Sequence, residues 1–135
     1  MRLTALLLLM ALSVSCTGPA SGSTANSRLQ SIPAAKAEVY KKVDLKLWKN
    51  PYVIVRNDSV GLLDITNNEE HLMKTAELPD ALAALPLGAW PYGRVVALAD
   101  DRSPAADKAR IRDNRATIAA MFHSANVEIQ WVPSQ

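Results

Sequence analysis

The sequence is poor in the residue types that most chemistry depends on. One cysteine, Cys16, stands in 135 residues, which excludes an intrachain disulfide framework and a cysteine-rich zinc site. There are two histidines, His71 and His123. His71 follows Glu69 and Glu70, but sequence neighbours rarely converge on one ion and no third ligand is spaced for it. Both histidines are therefore expected as surface or half-packed side chains, with no metal and no other cofactor implied. Glycine-rich phosphate loops, Gly-x-Ser-x-Gly elbows and His-Glu-x-x-His helices are all missing. Neither charge dominates: 15 Lys and Arg against 13 Asp and Glu leave a formal net charge of +2, too balanced to announce a nucleic-acid binder.

What the chain does have begins at its N-terminus. Residues 1–15 read MRLTALLLLMALSVS. Arg2 supplies a positive start, Leu3 to Leu12 an apolar run, and Ser13 and Ser15 small residues of the kind a signal peptidase accepts. The run is shorter than the ~20 residues that span a bilayer as a stable helix, so residues 1–15 are expected to be a cleavable secretory signal. Cys16 follows at once, and Leu12-Ser13-Val14-Ser15-Cys16 resembles a bacterial lipobox. Ser13 stands where that pattern has leucine, while Val14 and Ser15 fit. The resemblance implies that Cys16 is lipidated and becomes the mature N-terminus, anchoring the protein to a membrane. With Thr17 next, and no aspartate there, it points to the periplasmic face of the outer membrane. The other reading is ordinary secretion, with cleavage after Ser15 or Ala20, to the periplasm or beyond.

Residues 17–35 are rich in Ser, Ala, Gly and Thr and show no periodic apolar face. With Cys16 they are expected to form a flexible tether, residues 16–35, ahead of one globular domain, residues 36–135. Lys36, Lys41, Lys42, Lys46 and Lys49 mark the domain's start. They read as a solvated face or as a contact to anionic lipid, on either a short amphipathic helix or an extended lead-in. Tyr52 to Arg56 and Val60 to Ile65, separated by Asn57-Asp58-Ser59, form a hairpin signature; His71 to Thr75 is expected to add a brief strand. Pro79 to Leu85 reads as a short helix, with proline in its first turn. Arg94 to Ala99 reads as a buried strand. A longer helix is expected to run to Ala125 with Ile111, Ile118, Met121, Phe122 and Ala125 on one stripe. Asn126 is placed to cap it in the left-handed conformation, and Val127, Ile129 and Trp131 alternate along a last strand. The expected fold is α+β, a two-layer sandwich: a mixed sheet of four or five strands with two helices on one face.

Two groups of residues are candidate sites. Asp100, Asp101 and Arg94 flank the buried strand, and a small envelope hydrolase or ligand-binding enzyme would use them. Trp90, Tyr92 and Arg94 lie in Ala89-Trp90-Pro91-Tyr92-Gly93-Arg94; either the tryptophans Trp48, Trp90 and Trp131 plug one end of the sandwich, or this string faces a partner, with Tyr92 and Arg94 as polar handles. The leading expectation is a non-catalytic module that binds an envelope protein or the cell wall.

The strings Trp48-Lys49-Asn50-Pro51-Tyr52 and Ala89 to Arg94, with the terminal Trp131-Val132-Pro133-Ser134, resemble a family of small uncharacterised exported bacterial proteins of acidobacterial type. That resemblance covers residues 48–134 and implies export but no activity. The strand–helix–strand order near the C-terminus is also similar in pattern to the periplasmic domains of ExbD/TolR-type proteins. The membrane aspartate of those proteins has no counterpart in Leu3 to Leu12, so coupling to proton flow is not implied.

Overall fold

A computed structural model describes residues 21–133, with side chains from Thr24 onward. The expected signal, residues 1–15, and Cys16 lie outside the described residues. No helix among the described residues is long and apolar enough to cross a membrane.

The sheet begins where β-branched residues follow Pro51: β1 is Tyr52–Val55, and β2, Ser59–Asp64, returns beside it. Asp64 closes the next turn by accepting from the Thr66 and Asn67 backbone N–H groups, and Asn68 takes a left-handed φ of 53°. β3, Glu69–Lys74, then pairs antiparallel with β2. After α3, Leu78–Ala83, the chain crosses to β4, Val95–Asp100, which lies parallel to β1. The longer helix, α4 (Lys108–Ser124), starts at Asp107, whose carboxylate accepts from the Ala109 and Arg110 N–H groups. It ends before Asn126, left-handed at φ 54°. The last strand, β5 (Glu128–Trp131), runs parallel to β4. The order across the sheet is β3-β2-β1-β4-β5. This is the expected α+β architecture, a five-stranded mixed sheet with α3 and α4 packed on one face.

That face carries the main core. Val53, Val55, Val60, Leu62, Val96 and Leu98 point into it and meet Leu78 and Leu82 of α3 and Ile111, Ile118 and Phe122 of α4. Each such side chain stabilises by about 1.5–3 kcal/mol when fully buried, so the stripe positions decide which face of each helix turns inward.

Residues 21–35, expected as tether, are part of the folded domain. Ser21–Gln30 forms a helix, α1, and Ala25, Leu29 and Ile32 are buried, Leu29 and Ile32 within the same core. Only three apolar residues in a polar segment face inward, too few to show as a periodic stripe. The domain therefore takes in residues 21–35, and only residues 16–20 of the expected tether fall outside the description.

The opposite face is covered in part by residues 35–48. α2 is a single turn, Ala37–Tyr40, and a 3-10 turn follows at Leu45–Leu47. Lys36, Lys41, Lys42, Lys46 and Lys49 all face solvent, and so do Val39 and Leu47. Tyr40 and Trp48 turn inward with Tyr92, Val95 and Ala97 as a second, smaller core. Trp48 meets Tyr40 edge-on at 6.4 Å and Tyr92 at 5.0 Å between ring centroids.

Candidate functional site

Strands β1, β4 and β5 are parallel, so their carboxyl ends come together along one rim of the sheet. Open α/β sheets bind ligands at this kind of rim. Here, on the side away from the helices, lies a groove of about 770 Å³. Tyr52, Ile54 and Ala99 make its floor; Leu45, Arg56 and Trp131 are among its walls. The floor exists because residues two apart in a strand share a face, and residues 35–48 stop short of covering it.

The charged groups at this rim hold one another. Arg56, just past β1, donates from Nε to Glu70 Oε1 at 2.9 Å and from Nη2 to both carboxylate oxygens at 2.6 Å. Its Nη1 is 3.2 Å from Asp101 Oδ2. Glu70 reaches across β2 only because position 61 is glycine: a Cβ there would stand 1.8 Å from Glu70 Oε1. The fork-shaped contact with Glu70 raises the Arg56 pKa. Asp101 is held below the usual carboxylate range, first by the Ser103 N–H, then by the Ser103 hydroxyl and Arg56, against an opposing effect of burial. Asp100 pairs with Arg115 of α4. Two guanidinium groups thus hold three carboxylates, with Arg56 shared between Glu70 and Asp101.

The candidate enzyme residues do not converge. Asp100 and Asp101 are at the carboxyl end of β4, whereas Arg94 precedes its first residue, roughly 20 Å away along a six-residue strand. Arg94 is a clamp: it donates to the Asn126 carbonyl at 2.9 Å and to those of Gln30 and Ile32 at 3.0 and 3.3 Å, tying the ends of α1 and α4 together. His71 borders a separate hollow beside Lys49 and Asp64, and His123 another beside Arg94. Among the described residues no group of three or more His, Cys, Asp or Glu side chains could hold a metal ion.

The aromatic string is also corrected. Trp90 and Tyr92 are 4% and 8% exposed, so neither faces a partner. Trp90 belongs to the helix-side core and Tyr92 to the smaller one. Trp131, at 49% exposed, is not part of any plug.

What sequence reasoning missed is Asn50. Fully buried, it donates to the Gly93 and Val95 carbonyls at 2.7 and 2.8 Å and accepts from the Tyr92 N–H at 2.8 Å. Gly93, at φ +80°, leaves room for Ala34, whose carbonyl oxygen would be 2.3 Å from a Cβ. The two distinctive strings thus form one internal lock, with Trp48 packed at a tilt against Tyr92. Their proximity to prolines was the only signal, and it pointed as readily to turns.

The chain matches no family model, no curated protein and no solved structure.

Proposed function

We propose that the protein is an exported cell-envelope module, held at a membrane through Cys16, that binds an envelope protein through the open groove of its sheet. The observation that carries the binding reading is the groove itself: an apolar floor of Tyr52, Ile54 and Ala99 beside strand-end carboxylates that arginines already hold. A rim of that kind orients a partner segment but offers no free base or nucleophile. We prefer this to a hydrolase built on Asp100, Asp101 and Arg94, which lie at opposite ends of β4. Export and lipidation rest on residues 1–16 of the sequence alone.

The test is site-specific photo-crosslinking of the full chain in a bacterial envelope. A photoreactive residue in place of Lys46, on the groove wall, is expected to capture a discrete protein adduct, while one in place of exposed Leu87, away from the groove, captures none. An adduct dissolved by a muramidase would instead name the cell wall as the partner. No adduct at Lys46, or the same adduct at both positions, overturns the groove as the binding surface. In the same preparation Cys16→Ser should move the protein from the membrane to the soluble fraction; unchanged partitioning overturns the anchor.

A further inference from the structure

We propose that β3 is a self-pairing edge and that the protein forms a two-fold dimer through it, joining two five-stranded sheets into one of ten strands. The backbone parity points there first. The Arg56 N–H donates to the Ser59 carbonyl at 3.0 Å, so residues 59, 61 and 63 of β2 turn their polar groups to β1. Residues 60, 62 and 64 therefore bond to 73, 71 and 69 of β3 in the observed register. The N–H and C=O groups of Glu70 and Leu72, and the C=O of Lys74, are left pointing away from the sheet. Glu77 takes the Lys74 N–H at 2.9 Å, ending the free ladder there.

The side chains along that edge fit a second copy of themselves. An antiparallel two-fold axis perpendicular to the sheet keeps each face on its own side, so it can pass only where opposite residues share a face. Centred on Leu72, it sets Leu72 against Leu72 of the partner subunit, and Glu70 against Lys74 of the partner subunit twice over. The apolar Leu72 pair directly across the sheet is worth roughly 0.2–1 kcal/mol, while Glu70, whose carboxylate is held by Arg56, contributes its backbone. Four backbone bonds form without disturbing Glu77: two between the Leu72 residues and two from Glu70 N–H groups to Lys74 carbonyls. Leu72 is 65% exposed, an apolar side chain in the middle of an edge without proline or bulge. The other edge is a poorer template. β5 has four residues, Gln130 Nε2 bonds the Trp131 carbonyl, and Arg102 bonds that of Pro133.

The full chain expressed in a bacterial host tests this. Leu72→Cys places two cysteines at a hydrogen-bonded pair, where Cα atoms are ~5.5 Å apart, within the range of a disulfide. It is expected to run at twice the chain mass on a non-reducing gel and to return to the monomer on reduction. The unsubstituted chain, which has only Cys16, and His123→Cys should stay at the monomer. Light scattering should give a dimer for the unsubstituted chain. Leu72→Pro removes one outward N–H that β2 does not use; it should be monomeric with an unchanged far-ultraviolet circular dichroism spectrum. A Leu72→Cys variant that does not cross-link overturns the proposal. So does a monomeric unsubstituted chain, or a folded Leu72→Pro variant that is still a dimer. If Leu72→Pro fails to fold, the cross-link decides.

Discussion

Asn50 is the one polar side chain in the buried core of the described residues. Its amide supplies two donors and an acceptor to three consecutive features of the chain: the Tyr92 N–H, the Gly93 carbonyl and the Val95 carbonyl. All are buried, so losing the amide leaves backbone groups without water or protein partners. Asn50→Leu should cost on the order of 2–4 kcal/mol, read as a lower urea midpoint at unchanged slope. Asn50→Asp is expected to be worse, because a carboxylate would face two carbonyl oxygens. Equal stability of Asn50→Leu and the unsubstituted protein would show that the lock contributes nothing. Trp90 is the counterpart: its ring N–H is buried without a partner, and its place in the core comes from area alone.

At the scale of elements, α1 and β3 show where local pattern and tertiary packing part. Leu29 is 1% exposed among core residues from the helices and the sheet. Leu29→Ala should therefore cost roughly 2–4 kcal/mol, measured by urea unfolding. A change under ~0.5 kcal/mol, the range of surface substitutions, would mean that α1 is not part of the cooperative unit. The hairpin, α3, β4 and α4 were legible because their residues obey one period each: the valines of β1, Leu78 and Leu82 of α3, and Ile111, Ile118 and Phe122 of α4. α1 was not, since Ser, Thr and Asn make up half of it and its helix is stabilised by what it docks on. β3 proved longer than expected because Glu69 and Glu70 read as loop, while strand pairing with β2 does not depend on their polarity. The groove was illegible for another reason. Sequence shows which residues alternate, but not that residues 35–48 cover one half of a sheet face and leave the other open. Asp100 and Asp101 were correctly placed at a strand end, yet their partners Arg115 and Arg56 come from elsewhere in the chain.

The sheet face away from the helices is built in two halves, one covered by residues 35–48 and one open, and the response to pH divides between them. At the rim, Asp101 is held below its ordinary pKa by Ser103 and Arg56. A lowered carboxylate pKa means that the unfolded chain takes up protons first as pH falls. The stabilisation is complete above the unfolded value, near 3.9, and is lost as pH drops through the folded one. On the smaller core, Tyr40 has its pKa pushed up to about 12, first by burial, then by its hydrogen bond to Glu128 at 2.5 Å and the charge of that carboxylate. The sign is reversed: the unfolded chain loses the phenolic proton first, so stability is intact below pH ~10 and declines between there and about 12. Urea midpoints measured across pH should therefore fall at both ends. Asp101→Asn should make the acid limb shallower, with the Asp64 carboxyl, held low by Asn67 and Thr66, still contributing, and leave the alkaline limb alone. Tyr40→Phe should do the opposite, at a neutral-pH cost of about 1 kcal/mol for the lost hydrogen bond. The two limbs report on different halves of one sheet face, so a variant that flattened both would mean the groove rim and the covered half are coupled more tightly than their separate contacts require.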